Sequence, residues 1–129
     1  MSETRLKGKI MGFEEHEEYA MKSVFGEVSP FRLLSCLETS LSFVVVSPYH
    51  ILEDYSFELE ENVLKTLEVD GNAIEDVAVL CIVRPDNHIL YVNLRSPLII
   101  NIKNGSFTQI ILQDESYGVS VPVAAKKDK

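Results

Sequence analysis

Residues 91–101 read YVNLRSPLIIN, two apolar runs interrupted by a Ser-Pro break and closed by two asparagines. Pro97 has no backbone N–H to donate to a sheet, so it belongs at a strand start, an edge or a bulge. Proline also pushes the preceding residue, Ser96, into an extended conformation. The stretch therefore predicts a strand, a sharp corner and a second strand. A purely structural corner is the simplest interpretation of the pattern.

Strand patterns continue on both sides of this corner. Seven short segments are rich in β-branched and aromatic residues and are bounded by turn formers. They are 31–37, 41–47, 77–83, 89–94, 98–102, 107–112 and 119–123. Asn104-Gly105 predicts a hairpin tip, and Pro85-Asp86-Asn87 predicts a turn between two strands. A strand roughly every ten residues is the rhythm of a barrel or sandwich.

Two further segments lie between the strand-rich halves. Residues 55–59 alternate apolar and polar side chains, as a half-buried strand does, and residues 60–68 carry the spacing of a short amphipathic helix. The sequence thus predicts a mainly all-β fold, a small antiparallel β-barrel-like domain with one or two short helices.

The length of 129 residues fits one domain that spans the whole chain, 1–129. A domain of this size has a core large enough to fold without a stabilising disulfide or metal ion. We expect an ordered core over about 6–122. Lys126, Lys127 and Lys129 form a basic tail that we expect to be disordered.

Motifs for cofactors and metals are missing from the sequence. Cys36 and Cys81 lie in apolar surroundings, which favours buried, inert thiols over a disulfide or a metal site. His16, His50 and His88 have no partner at metal-ligand spacing, and the six glycines form no phosphate-binding loop. We therefore expect no catalytic, cofactor-binding or metal residues.

The net charge of −8 argues against direct nucleic-acid binding, which needs clustered Lys and Arg. The acidic surface favours a basic partner, or serves solubility alone. No signal peptide follows the first residues, and no apolar run is long enough to span a bilayer. These features predict a cytoplasmic protein without a membrane contact.

The corner NLRSPLIIN resembles a signature of the flagellar assembly factor FliW family, N-L-x-A/S-P-I/L-x-I-N. Other pieces occur in the order of that family. They are GFE at 12–14, SPF at 29–31, FVVVSPY at 43–49, DY at 54–55, EDVAVL at 75–80 and LQDESY at 112–117. The similarity covers roughly residues 6–122. Two departures are Met11 and Ser47, where the family commonly has Pro and Asp.

The resemblance implies a non-enzymatic, cytoplasmic chaperone of flagellum biogenesis. Family members bind flagellin and, when free of it, bind the translational repressor CsrA. Binding relieves repression of flagellin mRNA, so that the flagellin level regulates its own translation. The expected partners of this chain are therefore flagellin and CsrA, and we expect a monomer. The alternative is a small β-barrel hydrolase or lyase, for which the sequence supplies no clear nucleophile-base pair.

Candidate partner-binding residues lie near predicted strand ends. They are Tyr49, Glu53, Asp54, Tyr55, Asn93 and Asn101. Aromatic side chains beside carboxylates are typical of protein interfaces. Core capping is the alternative role for Tyr55 as well as for Phe13, and satisfaction of backbone groups is the alternative role for the two asparagines.

Overall fold

The structure, a computed structural model, describes residues 3–26, 28–70 and 74–123, so the lysine-rich tail lies outside the described residues. The strands are β1 (Glu3–Lys9), β2 (Glu18–Lys22), β3 (Phe31–Cys36), β4 (Ser42–Val46), β5 (Val77–Asp86), β6 (Ile89–Val92), β7 (Leu98–Asn101), β8 (Ser106–Gln109) and β9 (Val121–Pro122). The helical elements are α1 (Glu61–Thr66) and two 3-10 turns, Pro48–His50 and Ile74–Asp76. Among the described helices, none has both the length and the apolar character needed to cross a bilayer.

Seven of these strands close into a barrel. The order is β4, β3, β2, β1, β8, β7 and β5, and β5 pairs back with β4. β6 and β9 extend the sheet beyond β5. The pairing of β1 with β8 is parallel, and it joins the first described strand to the C-terminal half of the chain. The prediction of a mainly-β, barrel-like domain with short helical elements is confirmed.

The Ser-Pro corner divides one edge of β5 between two strands. Val92 of β6 lies opposite Val83, and Leu98 of β7 lies opposite Leu80. Residues 93–97 therefore span a gap in which β5 has only the two residues 81 and 82, which makes the corner a large bulge. Beyond the bulge, β6 pairs with β9 and β7 pairs with β8, so the corner is where the sheet branches.

The predicted hairpin at Asn104-Gly105 joins β7 to β8. Gly105 has a φ of +79°, and its N–H donates to the carbonyl of Asn101 at 2.8 Å. The Asn104 side chain accepts a hydrogen bond from the Ser106 N–H at 2.9 Å. Both residues of the Asn-Gly pair therefore stabilise the tip, as the sequence pattern predicts.

Strand β4 is buried on both of its faces. Val45 belongs to an apolar cluster drawn from β1, β2, β3, β4, β7 and β8, which lies inside the barrel. Val46 points the other way, into a second cluster with Tyr55, Cys81 and Val92. A strand with cores on both sides reads as a continuous apolar run, which explains the unbroken FVVV of residues 43–46.

The structure corrects several local expectations. Residues 55–59 do alternate between more and less buried side chains, but they pair with no strand in the described part of the chain, and Tyr55 and Phe57 pack into the second apolar cluster instead. Strands β1 and β2 were not predicted, because β1 (ETRLKGK) is dominated by charged and polar residues and β2 (EYAMK) is a short segment that begins and ends with a charged residue. In β1 only Leu6 is fully buried.

Helix α1 is anchored by the residue that follows it. Leu67 is 1% exposed, whereas Val63 and Leu64 are only half-buried. The chain then leaves the helix through a Schellman motif, in which Val69 N–H donates to the Leu64 carbonyl at 2.9 Å and Glu68 has a φ of +60°. The predicted helix at 60–68 is thus present, and Leu67 supplies most of its packing.

The β5–β6 turn lies one residue later than the sequence predicts. β5 continues through Pro85 and Asp86, and the two loop residues are Asn87 and His88, with φ values of +58° and +72°. Positive φ at both positions defines a type I′ turn, which favours Asn-Gly. Asn tolerates this conformation, but a histidine in it is strained.

We expect His88→Gly to raise the free energy of unfolding by about 0.5–1 kcal/mol, because glycine removes the strain at a small entropic cost. Urea unfolding followed by circular dichroism measures the change. Asn87→Gly is the matched control and should shift the midpoint less. A lower midpoint for His88→Gly would contradict the type I′ geometry.

Candidate partner-binding site

Tyr49 is held at the surface by the turn that follows β4. The Tyr49 N–H donates to the Oγ of Ser47 at 3.3 Å, and Pro48 is buried at the first position of the turn. Serine is a good cap acceptor, so Ser47 provides the hydrogen bond that an aspartate would provide there. The Tyr49 side chain remains 47% exposed. The result is an aromatic ring fixed in place and open to a partner.

Tyr55 supports this ring from below. Its ring contacts Tyr49 edge-on at 5.7 Å, Phe57 at 5.7 Å and Tyr117 at 4.7 Å between centroids. The Tyr55 hydroxyl donates to the carbonyl of Leu94 at 2.7 Å, and the residue is 2% exposed. Tyr55 therefore links the loop that carries Tyr49 to the Ser-Pro corner.

The groups beneath the aromatic cluster are uncharged at neutral pH. Burial, followed by the neighbouring Cys81, raises the pKa of Tyr55 far above its usual value. Burial also raises the pKa of the Cys81 thiol to about 12. Both cysteines are free and buried, as predicted. Cys81 is thus a protonated core residue and not a nucleophile.

Two carboxylates, Glu53 and Asp54, follow Tyr49 in the sequence by four and five residues. Glu53 and Asp54 are both exposed, in the turn that the Tyr55 N–H closes by donating to the Leu52 carbonyl at 3.0 Å. This turn lies between the exposed and the buried tyrosine of the cluster. The arrangement combines a rigid aromatic group with two acidic groups on the surface.

An open groove lies next to the aromatic cluster. Its volume is about 570 Å³, and it is lined by Phe57, Glu58, Glu60, Val63, Ile110, Ile111, Leu112, Gln113 and Asp114. The lining is about equally polar and apolar, and three of its side chains are carboxylates. Hydrogen bonds from the hydroxyl and the backbone N–H of Ser116 hold the pKa of Asp114 below its usual value, so this wall is charged at neutral pH.

The groove was not predicted, because its walls come from segments about fifty residues apart. Only the acidic character of residues 58–61 and 114–115 was visible in the sequence. Phe57 belongs to both the aromatic cluster and the groove. We call the surface formed by Tyr49, Glu53, Asp54 and this groove the acidic aromatic face.

The two asparagines bind the backbone of their own chain. The Asn93 Oδ1 accepts from the N–H groups of Arg95 and Ser96 at 3.1 and 3.0 Å, which shapes the Ser-Pro corner. Asn101 is 4% exposed, and its Nδ2 donates to the carbonyl of Leu67 at 2.8 Å. Asn101 thereby fastens the end of α1 to β7, and its contribution to any surface is indirect.

Comparison with known proteins identifies the family. The family model of the FliW protein matches residues 3–123. The chain belongs to the FliW family. A flagellar assembly factor FliW from Clostridioides difficile (strain 630) is 33% identical over 125 residues, which covers 95% of each chain. The flagellar assembly factor FliW from Bacillus subtilis (strain 168) is 33% identical over 120 residues, which covers 91% of this chain and 82% of that protein. The flagellar assembly factor FliW from Bacillus pumilus (strain SAFR-032) is 36% identical over 111 residues, which covers 84% of this chain and 75% of that protein.

The fold agrees with this assignment. A crystal structure of the flagellar assembly factor FliW superposes with a TM-score of 0.81, at 27% sequence identity, over 98% of this chain and 88% of that chain. The resemblance found in the motifs of the sequence is therefore confirmed. The family role is flagellar assembly, which fits a protein-partner function.

Proposed function

We propose that this FliW-family chain is a cytoplasmic, non-enzymatic binding protein for flagellin and for the translational repressor CsrA. Flagellin would occupy the protein while it is abundant. Protein that is free of flagellin would bind CsrA and relieve repression of flagellin mRNA. In this scheme the flagellin level controls its own translation through competition for one small β-barrel protein.

The acidic aromatic face is the observation that supports this proposal. An RNA-binding repressor must present basic groups to phosphates, so a surface with clustered carboxylates is complementary to it. Tyr49 supplies an exposed aromatic group to the face, and aromatic groups are enriched among binding hot spots. Its ring is backed by Tyr55 at 5.7 Å, so little conformational freedom is lost on binding.

A binding role is also favoured over the hydrolase or lyase alternative. The side chains with raised pKa values are Tyr19, Tyr55 and Cys81, and all three are buried and protonated at neutral pH. The groove is lined by carboxylates and apolar groups, without a histidine, cysteine or serine among its lining residues. Such a groove suits an extended segment of a partner protein better than nucleophilic catalysis.

The test compares wild type with Glu53→Lys/Asp54→Lys by surface-plasmon kinetics against CsrA and flagellin, from low to high salt. We expect the association rate with CsrA to fall by about tenfold or more for the variant, and to fall with salt for wild type, because opposite charges steer the encounter. Flagellin, whose binding segments we expect to be largely apolar, should show a weaker salt effect. Stability should change by no more than about 0.5 kcal/mol, since both positions are exposed.

Glu14→Lys/Glu18→Lys is the matched control. It changes the net charge by the same amount, but it lies at the opposite end of β4, near the β1–β2 turn. If the control slows CsrA binding as much as the site variant does, net charge and not the acidic aromatic face governs the interaction. If wild type binds neither partner, the proposed function fails.

A further inference from the structure

Three side chains of metal-ligand type meet at the end of the barrel opposite Tyr49. The β1–β2 turn contributes His16, the end of β3 contributes Cys36, and the β3–β4 turn contributes Glu38. One ligand atom from each lies within 4.8 Å of the other two. Strand β4 separates this cluster from the acidic aromatic face by roughly 15 Å, the length of a five-residue strand. The two sites are therefore distinct.

The distances approach those of a tetrahedral zinc site. His16 Nδ1 lies 3.6 Å from Glu38 Oε1, and Cys36 Sγ lies 3.8 Å from the same oxygen. With Zn–S near 2.3 Å and Zn–N or Zn–O near 2.0 Å, ligand atoms in a tetrahedron are about 3.3–3.5 Å apart. The observed separations exceed these values by a few tenths of an ångström. A small movement of the half-exposed Glu38 side chain closes these two differences, and a rotation of the His16 ring sets its separation from Cys36 Sγ, which is within 4.8 Å.

Backbone contacts hold the two turns together before any ion binds. The Glu17 N–H donates to Glu38 Oε1 at 3.2 Å, and the Leu37 N–H donates to the Glu18 carbonyl at 2.8 Å. The second carboxylate oxygen of Glu38 has none of these contacts. The pairing of β2 with β3 therefore brings the ligand side chains together, and little conformational entropy is lost when an ion binds.

The buried hydroxyl of Tyr19 is an independent indication that this region binds a polar group or ion. Tyr19 is 0% exposed, its hydroxyl has no hydrogen-bond partner among the described residues, and it lies directly opposite Cys36 in the sheet. Directly paired residues on neighbouring strands project their side chains from the same face of the sheet, so the Tyr19 ring and the Cys36 thiol share one face. A buried hydroxyl without a partner is costly, so a bound group that pairs with it is stabilising.

We propose that His16 Nδ1, Cys36 Sγ and the Glu38 carboxylate bind one Zn²⁺ ion, with a water as fourth ligand within reach of the Tyr19 hydroxyl. A thiolate, an imidazole and a carboxylate together select zinc over magnesium or calcium. The Glu15 carboxylate lies 3.8 Å from His16 Nε2, so it adds negative charge on the far side of the imidazole without a hydrogen bond to it. Zn²⁺ binds the thiolate form of Cys36, so the thiol proton goes to solvent, and the ion links the two turns through three protein ligands while its fourth position stays open to water.

The test uses full-length, chelator-treated protein at neutral pH. Zn²⁺ is titrated in competition with a chromophoric chelator, and Co²⁺ is used as a spectroscopic probe. We expect one ion per chain, and a Co²⁺ complex with a thiolate charge-transfer band and the intense visible bands of four-coordination. Glu38→Gln and His16→Ala should each weaken Zn²⁺ binding by about 100-fold, and Cys36→Ser should abolish the charge-transfer band.

Matched controls separate this site from other ligands of the chain. Cys81→Ala and His50→Ala remove a thiol and an imidazole outside the cluster, and neither should change Zn²⁺ affinity. Tyr19→Phe keeps the ring, which packs edge-on against Phe107 at 5.7 Å, and should weaken binding about tenfold. The proposal is overturned if Zn²⁺ binds at less than one ion per chain, if Glu38→Gln binds as wild type does, or if the Co²⁺ complex is six-coordinate without a thiolate band.

Discussion

Gly8→Ala is expected to destabilise the barrel by about 3 kcal/mol or more, because there is no room for a methyl group where β1 meets β8. Gly8 lies opposite Phe107 in this parallel pair. A Cβ built on Gly8 clashes with the Phe107 carbonyl oxygen and lies 2.8 Å from two atoms of its ring. Relief of the carbonyl clash requires separation of the two strands, and relief of the ring clash also disturbs the contact between Phe107 and Tyr19, both of which belong to the barrel core.

Urea unfolding followed by far-ultraviolet circular dichroism measures this effect. Gly118→Ala is the matched control, since its new Cβ meets only a Val121 methyl group at 3.2 Å, and we expect a change below about 1 kcal/mol. Gly8→Ala/Phe107→Leu tests the cause. It removes the ring but leaves the backbone carbonyl in place, so rescue should be partial. An unchanged unfolding midpoint for Gly8→Ala would show that β1 and β8 are not in close contact.

Tyr55→Ala is expected to cost about 4 kcal/mol, the usual loss for removing a large buried aromatic side chain. The ring contacts Tyr49, Phe57 and Tyr117, and its removal leaves a cavity in the second apolar cluster. The loop 47–57 would then lose its main contact with the barrel. We therefore expect partner binding to fall together with stability.

Tyr55→Phe separates the ring from the hydroxyl. It keeps the aromatic contacts but deletes the 2.7 Å hydrogen bond to the Leu94 carbonyl, which should cost about 1–2 kcal/mol. Because Tyr49 still rests on an aromatic ring, we expect partner affinity to remain close to that of wild type. The support role assigned to Tyr55 is wrong if Tyr55→Ala unfolds at the same urea concentration as wild type, or if Tyr55→Phe loses binding while it stays folded.

The two asparagines show which side-chain contacts a local sequence pattern can predict and which it cannot. Asn93 was a candidate partner-binding residue with satisfaction of backbone groups as its alternative role, and the local pattern accounts for the second role, because its Oδ1 binds N–H groups only two and three residues away. The Asn101 side chain also makes a local contact, since its Oδ1 accepts from the Lys103 N–H at 2.9 Å, but its Nδ2 in addition donates to the carbonyl of Leu67, which is 34 residues away. That contact depends on where α1 packs, and no local rule predicts it.

The sequence by itself determined the strands from 31 to 47 and from 77 to 112, the Asn-Gly hairpin, the corner at Pro97 and the family. These features depend on neighbouring residues, since β-branched runs, turn formers and a missing proline N–H act within a few positions. The tertiary structure alone decided the pairing of β1 with β8, the acidic groove and the cluster of His16, Cys36 and Glu38. These features depend on which distant strands pair and in what register. The free energy that favours this pairing comes from burying both apolar clusters at once, and no single segment of the sequence contains that information.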